Sequence, residues 1–349
     1  MKPANPVNYQ VECHILSPVH IGTGEELDPF SYIIRDKKLF IVDTVKWIES
    51  YPDKKRLYEI MNSDNFASVR SFIADNFDAP EAVLCEIAIE DNELIRTYHN
   101  AISKKDSRNQ VIVEPVTRNP VTMAPYIPGS SIKGAIRTAI ANQFVKIANV
   151  TSRDSRGRYN DKIFGPPDKD PMKHLKIKDI PMVSGSTVIM EAIEFSKNPG
   201  KSLTPKGHKE VVESLCQTGQ SIVANLTFAL NPFFLHNQKI DVEFILKALR
   251  DFYVDKYKSD LEKFFSLPHA EKIRSKIEML TPIVENLKAN EAILRIGHFS
   301  HVESVTLDNV RAPRTRRGKD GRPLPWGTTR TLANGLYPFG WVKLEFIGL

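Results

Sequence analysis

Residues 128–137 read Pro128-Gly129-Ser130-Ser131-Ile132-Lys133-Gly134-Ala135-Ile136-Arg137. A proline and a glycine lead into a helix, and Ser130 or Ser131 can serve as its N-cap. Ile132, Ile136, Ala139, Ile140, Phe144 and Ile147 follow at spacings of three and four, the stripe of an amphipathic helix. The free N–H groups of its first turn form an anion site. Lys133 and Arg137 stand four apart and share a face. A cation in the first turn opposes the helix dipole, and a docked phosphate reverses that penalty. The alternative is a well-capped helix whose basic residues are solvated.

On the N-terminal side, Val7 to Ile15 alternates apolar and polar, a half-buried strand with Val7, Tyr9, Val11, Cys13 and Ile15 on one face. A loop with two glycines follows, His20-Ile21-Gly22-Thr23-Gly24. Phe30–Ile34 and Leu39–Val42 read as a hairpin turned at Asp36-Lys37-Lys38. Residues 44–78 read as short helices broken at Pro52 and near Asn62-Ser63, and 82–90 alternates again. Residues 100–128, with Pro115, Pro120, Pro125 and Pro128, read as extended and irregular. On the C-terminal side, 150–178 is polar, basic and loop-like. Strands are expected at 187–195 and 210–230, the second folded over near Thr218-Gly219. Helices at about 241–266 and 269–290 are parted by Pro268. Closing strands at 294–296 and 341–346 flank a basic loop. Strands interleaved with helices, twice over, predict an α+β chain of two ferredoxin-like units.

The 349 residues suit about two domains, and 41% hydrophobic with 26% charged residues is a globular balance. That excludes a disordered tail protein, a collagen and a coiled coil. The net charge of +6 is unevenly spread. Residues 128–178 hold eleven Lys and Arg against four Asp, and 311–330 hold seven against one, so the rest of the chain is net acidic. Cys13, Cys85 and Cys216 are scattered with no CxxC, as expected for reduced thiols in a cytoplasmic protein. The N-terminus shows no signal pattern, and no apolar run is long enough to span a membrane.

There is no phosphate loop, dinucleotide fingerprint, HExxH or GxSxG. The aromatic signature of a sheet-stacking RNA-recognition motif is missing too. His298 and His301, three apart, suit a metal only on a helix with further ligands, so no metal and no cofactor are expected. Three further segments carry chemistry. Arg311 to Arg330 contains Arg314, Arg316, Arg317, Lys319 and Arg330, and Trp326 is able to stack on a base. Its alternative is a basic loop that meets an acidic protein. Leu294-Arg295-Ile296-Gly297-His298-Phe299-Ser300-His301 is a strand ending in a glycine, where backbone approaches a ligand closely. Ser17-Pro18-Val19-His20-Ile21-Gly22-Thr23-Gly24 is another such loop, in which His20 serves either as an acid–base group or as a turn histidine.

Taken in order, "SPVHIGTG", "YIPGSSIKGAIRTA", "IFGPPDKDPMKHLKIKD", "LRIGHFSHVESVT" and "PFGWVKLEF" resemble the RAMP superfamily of CRISPR-associated proteins. The arrangement is most similar to the head subunits of type III-A (Csm) effector complexes, which cap the 3′ side of the CRISPR RNA (crRNA). The resemblance covers most of the chain, least distinctly at 44–125 and 231–290. It implies two ferredoxin-like (RRM-like) modules with helical insertions. The first would span 1–180, and the second 181–349 with its helical segment at 241–290. It implies a non-catalytic subunit that binds single-stranded crRNA, neighbours the filament-forming RAMP subunit, and supports 3′ maturation by exposing the RNA end to host nucleases. The RNA-facing residues it marks are His20, Gly22, Gly24, Gly129, Ser130, Ser131, Lys133, Arg137, Arg295, Gly297, His298, Arg314, Arg316, Arg317, Lys319 and Arg330. His20 and Asp28 are the candidates should the chain instead be a metal-independent endoribonuclease of crRNA. A type III-B RAMP subunit is the other alternative. The head subunits often carry a second glycine after the one at Gly297, where this chain has His301.

Overall fold

A computed structural model describes residues 6–349 except 64, 105–110, 155–157, 199–209, 217–221, 312–320 and 323–325. The chain is α+β. It opens with β1 (Val7–Ile15), then the hairpin β2 (Tyr32–Arg35) and β3 (Lys38–Val42). Asp36 and Lys37 both turn with positive φ, as the tight turn between two right-twisted strands requires. Helices α1 (Thr44–Ser50), α2 (Lys54–Met61) and α3 (Phe66–Asn76) follow. Asp43, Asp53 and Asn65 cap them through their side chains. Next come β4 (Val83–Ile89), α4 (Asn92–Lys104), β5 (Val113–Glu114), β6 (Tyr126–Ile127), α5 (Gly129–Phe144), α6 (Tyr159–Phe164), β7 (Leu175–Ile177) and β8 (Ile180–Pro181). The C-terminal part holds β9 (Thr187–Ser196), β10 (Glu210–Leu215), β11 (Ile222–Leu230), the hairpin β12 (Phe233–Leu235) and β13 (Gln238–Ile240), α7 (Val242–Asp260), α8 (Glu271–Glu278) and α9 (Thr281–Glu285). It closes with β14 (Glu291–Arg295), α10 (His301–Val305), β15 (Thr329–Ala333), β16 (Tyr337–Pro338) and β17 (Trp341–Ile347).

Two sheets organise these elements. The first is antiparallel, in the order β14-β17-β1-β11-β7, so strands from both ends of the chain share it. Val11, Cys13 and Ile15 point into its core, as the alternation requires, and α5 and α7 cover that face. Ile132, Ile136 and Ile140 of α5 are fully buried, worth about 2 kcal/mol each. The second sheet runs β16-β15-β9-β4-β3-β2, with β10 joining β9 to β5. Helices α1 to α3 pack on it through Trp47, Leu57, Phe72 and Ile73. The three cysteines are unpaired, and burial pushes the Cys13 thiol up to about 12.

Several local expectations change. The stretch 210–230 is not one folded hairpin: β10 lies in the second sheet beside β9, and β11 in the first beside β1. Residues 100–104, expected to open the extended and irregular stretch 100–128, instead complete α4 (Asn92–Lys104). The segment 150–178 contains α6 and β7 rather than loop alone. The helix at 269–290 is two short ones, with Pro282 in the first turn of α9, where its missing N–H costs nothing. The predicted stripe residue Ile147 is 60% exposed because α5 ends at Phe144.

The start of α5 departs most. The helix begins at Gly129, and Pro128 stands at the cap, so neither Ser130 nor Ser131 caps it. Gly129 N–H donates instead to Oδ1 of Asp179 at 2.8 Å, and Ser131 N–H to the Pro128 carbonyl at 2.9 Å. A carboxylate fifty residues on therefore supplies the acceptor that a local cap would give. Gly129 is required here, because a Cβ would sit 2.3 Å from the carbonyl oxygen of Ile177.

Candidate nucleic-acid interface

Three sequence-distant loops meet above the end of the first sheet, and main-chain hydrogen bonds join them. Gly340 N–H donates to the Pro18 carbonyl at 2.8 Å, Ile296 N–H to the Gly340 carbonyl at 2.9 Å, and His298 N–H to the His20 carbonyl at 2.9 Å. Gly297 has φ +92° and Gly340 φ +93°. A Cβ on either would come within 2.4 Å of a neighbouring carbonyl oxygen, that of His20 and of Ile296 respectively. These two glycines are demanded by backbone packed on backbone.

Beside this junction lies a cleft of about 620 Å³. His20–Gly24 form one wall, Arg295–His298 another, and the first turns of α5 the third, with Tyr253 and Ser304 also lining it. From α5 it is Ser130, Ser131, Gly134, Ala135 and Thr138 that face the space. Ser131, Gly134 and Thr138 fall at i, i+3 and i+7, one helix face. Gly134 meets nothing within 4 Å of where a Cβ would be, and Gly24, at φ +82°, is equally open. The cleft offers the hydroxyl-bearing residues Thr23, Ser130, Ser131, Thr138 and Ser300 and the exposed His298 ring, groups suited to phosphate and sugar oxygens.

His20 is nearly inaccessible, at 2% exposure. Its Nδ1 donates to the Glu213 carbonyl at 2.7 Å, and its Nε2 lies 3.8 Å from Oε2 of Glu114. Burial lowers its pKa below the ordinary imidazole value, so the ring is neutral near pH 7. The Glu213 carboxylate, fully buried, receives the Val116 N–H at 3.1 Å and a guanidinium nitrogen of Arg118. Gly22 packs against this histidine, since a Cβ would lie 2.8 Å from its Nε2. Asp28 is exposed and outside the cleft lining, and its Oδ1 closes its own turn by accepting the Phe30 N–H at 2.7 Å.

The expected cations are placed differently from what charge counting suggested. Lys133 donates to the Leu175 carbonyl at 2.7 Å. Arg137 bonds Oδ1 of Asn160 at 3.0 Å and Oδ2 of Asp170 at 2.7 Å, and lies over the Phe164 ring. Both clamp the 159–175 segment to α5, on the helix side away from the cleft lining. Arg295 and Arg330 are each 3% exposed and share the buried carboxylate of Asp260, with nitrogen–oxygen distances of 2.7–2.9 Å. Arg295 stacks on Trp341 and Arg330 on Phe264. Folding thus turns two of the predicted RNA-facing arginines inward. Arg314, Arg316, Arg317 and Lys319 lie outside the described residues.

His301 adopts φ +62°, a left-handed conformation that favours glycine. Its Nε2 accepts the Thr331 N–H at 3.3 Å, which holds the ring there. Thr23, Glu114 and Thr138 of the cleft were missed from the sequence. For Thr138 the spacing from Ser131 and Gly134 was the available signal. No helix among the described residues is long and apolar enough to cross a membrane.

Known proteins share both sequence and fold with this chain. A Csm5 of the CRISPR system in Methanocaldococcus jannaschii is 29% identical over 138 residues, 38% of this chain and 30% of that protein. A Csm5 from Streptococcus thermophilus is 28% identical over 155 residues, 41% of each. The matched stretches therefore span less than half the length of either relative. Among solved structures, a chain of a type III-A Csm–crRNA–target RNA ternary complex superposes with TM-score 0.66 at 20% identity, covering 97% of this chain and 100% of that one. Crystalline T. onnurineus Csm5 gives TM-score 0.59 at 19% identity, covering 95% and 99%. Residues 12–267 match the RAMP superfamily as a family, which is most of the chain, so the protein belongs to the RAMP superfamily.

Proposed function

We propose that this chain is a non-catalytic, RNA-binding subunit of a type III-A CRISPR ribonucleoprotein. In this reading it caps the 3′ side of the crRNA and supports its maturation and the assembly of the complex. The observation that carries the reading is the convergence of His20–Gly24, the Ser130, Ser131, Gly134 and Thr138 face of α5, and Arg295–His298 on one cleft. The sequence likeness to two Csm5 proteins, and the fold shared with a chain from a complex with crRNA and target RNA, support it. The crRNA, the filament-forming RAMP subunit and host nucleases are the partners this reading names. The two ferredoxin-like modules, 1–180 and 181–349, belong to the same proposal, with β1 shared into the sheet of the C-terminal strands.

The absence of catalysis in the proposal rests on the two candidates' surroundings. Nδ1 of His20 is committed to a carbonyl and its ring is buried. Asp28 caps its own turn away from the cleft. The test is Gly134→Glu, which adds a carboxylate to the cleft at a position where a Cβ meets nothing within 4 Å. A single-stranded RNA should then bind about tenfold more weakly or worse, with an unchanged melting temperature, because like charge opposes the phosphates. Unchanged affinity and salt dependence in that variant would remove the cleft from the RNA path.

A further inference from the structure

A second cleft, of about 320 Å³, opens beside the C-terminal end of α7. Arg311 and Trp326 line it with Lys197, Lys263, Phe264, Arg330 and one carboxylate, that of Glu303, which is bonded to Arg330. Its volume lies at the low end of small-ligand pockets, roughly 300–1,000 Å³. None of the lining of the first cleft recurs here.

The two arginines are already neutralised. Arg330 bonds Asp260 and Glu303, and Arg311 bonds Oδ1 of Asp308 at 3.0 Å. The lysines are not. No carboxylate bonds Lys197 or Lys263 among the described residues. Lys197 instead lies over the Phe264 ring, its Nζ 4.3 Å from the centroid. Burial, with Arg330 and Lys263 adding like charge, lowers its pKa against the opposing pull of Glu303 and Asp260. An ammonium that lacks a bonded carboxylate is stabilised further by an anion that arrives. Lys263 and Phe264 are presented by a single π-helical turn, Leu261–Phe265, that extends α7, and such turns recur at functional sites. Trp326 is 43% exposed, whereas Trp47 and Trp341 are 1% exposed. An indole left in water beside unpaired ammonium groups suits a ligand with an aromatic face and a negative charge.

We infer that this cleft is a nucleotide site: Trp326 stacks a base while Lys197 and Lys263 hold its phosphate. The site goes beyond the reading of the first cleft and does not depend on it. Its ligand is a nucleoside phosphate, either free or as one unit of a single-stranded RNA.

Trp326 is its own reporter. Titration with adenosine monophosphate and with a decameric oligoadenylate should quench the red-shifted, acrylamide-accessible part of the emission, leaving that of the buried Trp47 and Trp341. Quenching by both marks a pocket that takes a free nucleotide, and quenching by the decamer alone marks a station on an RNA strand. Trp326→Ala should weaken decamer binding about tenfold, the cost of one base–aromatic stack, and Trp326→Phe should restore most of it. Lys197→Gln with Lys263→Gln should flatten the salt dependence by about 0.7 per lost phosphate contact. The same titrations in Gly134→Glu protein separate the two clefts, because the Trp326 signal should persist there. The inference is overturned if neither probe quenches. It is also overturned if binding and salt slope survive Trp326→Ala and the double lysine change. A polyglutamate peptide that quenches as well as the decamer would overturn it too, marking a surface for acidic protein.

Discussion

The peptide N–H of His298 donates to the carbonyl of His20 at 2.9 Å, and Gly297 is what allows the two strand-end loops to come that close. Gly297→Ala adds a methyl 2.4 Å from the same carbonyl oxygen and forces a side chain into φ +92°. Backbone strain and overpacking act together, so stability should fall by roughly 3 kcal/mol, read as a lower denaturant midpoint. The comparison variant is Gly24→Ala, which bears a positive φ but no close neighbour. It should cost less, about 1 kcal/mol.

Asp260 bonds two buried guanidinium groups, those of Arg295 and Arg330, and Glu303 also bonds Arg330. Asp260→Asn keeps the shape but takes the carboxylate from the buried Arg295 and leaves Arg330 with Glu303 alone. The expected loss is about 3–5 kcal/mol, measured by chemical denaturation. Replacing the exposed Asp251, which pairs with exposed Lys247 and accepts from Nε2 of Gln143 at 3.1 Å, should cost about 1 kcal/mol or less.

Lys133 and Arg137 hold the 159–175 segment against α5. Lys133→Ala and Arg137→Ala should each lower stability by about 1 kcal/mol, through a lost hydrogen bond in one case and a lost part-buried ion pair and ring contact in the other. RNA affinity should respond less to either change than to Gly134→Glu. Filter binding beside a thermal melt separates the two effects.

Burial lowers the pKa of His20, and lowers that of His301 well below the ordinary imidazole value, where Arg295 and Arg330 add like charge. The folded state therefore stays neutral at both rings while the unfolded chain takes up protons as pH falls below about 6.5. The stability held above that value should decline as pH drops from 7 toward 5. His301→Gln removes one titrating ring while keeping an acceptor for the Thr331 N–H, and its stability should depend less on pH. An identical slope in the two proteins would show that His301 contributes nothing to it.

Much of the local structure was legible. The alternation at 7–15, the hairpin turned at Asp36-Lys37 and the stripe Ile132-Ile136-Ile140 report which residues share a face, and short-range sterics enforce that pattern. Alternation does not say which sheet a strand enters. β10 and β11 have similar apolar patterns, yet they part into different sheets because their partners, β9 and β1, lie elsewhere in the chain. The cap of α5 was misassigned for a related reason, since Asp179 reaches Gly129 only through the fold.

By itself the sequence determined the glycine loops, the main amphipathic helix, the family resemblance and the division of charge into two basic stretches on an acidic remainder. Only the tertiary structure decided which of those charges are free. Arg330 and Asp260 are seventy residues apart, and no local pattern pairs them. Once folding buries a guanidinium, desolvation makes a carboxylate partner obligatory, so Arg295 and Arg330 turn inward, while among the described residues no carboxylate bonds Lys197 or Lys263. Charge composition is additive along a chain, but the availability of a charge depends on its neighbours in space.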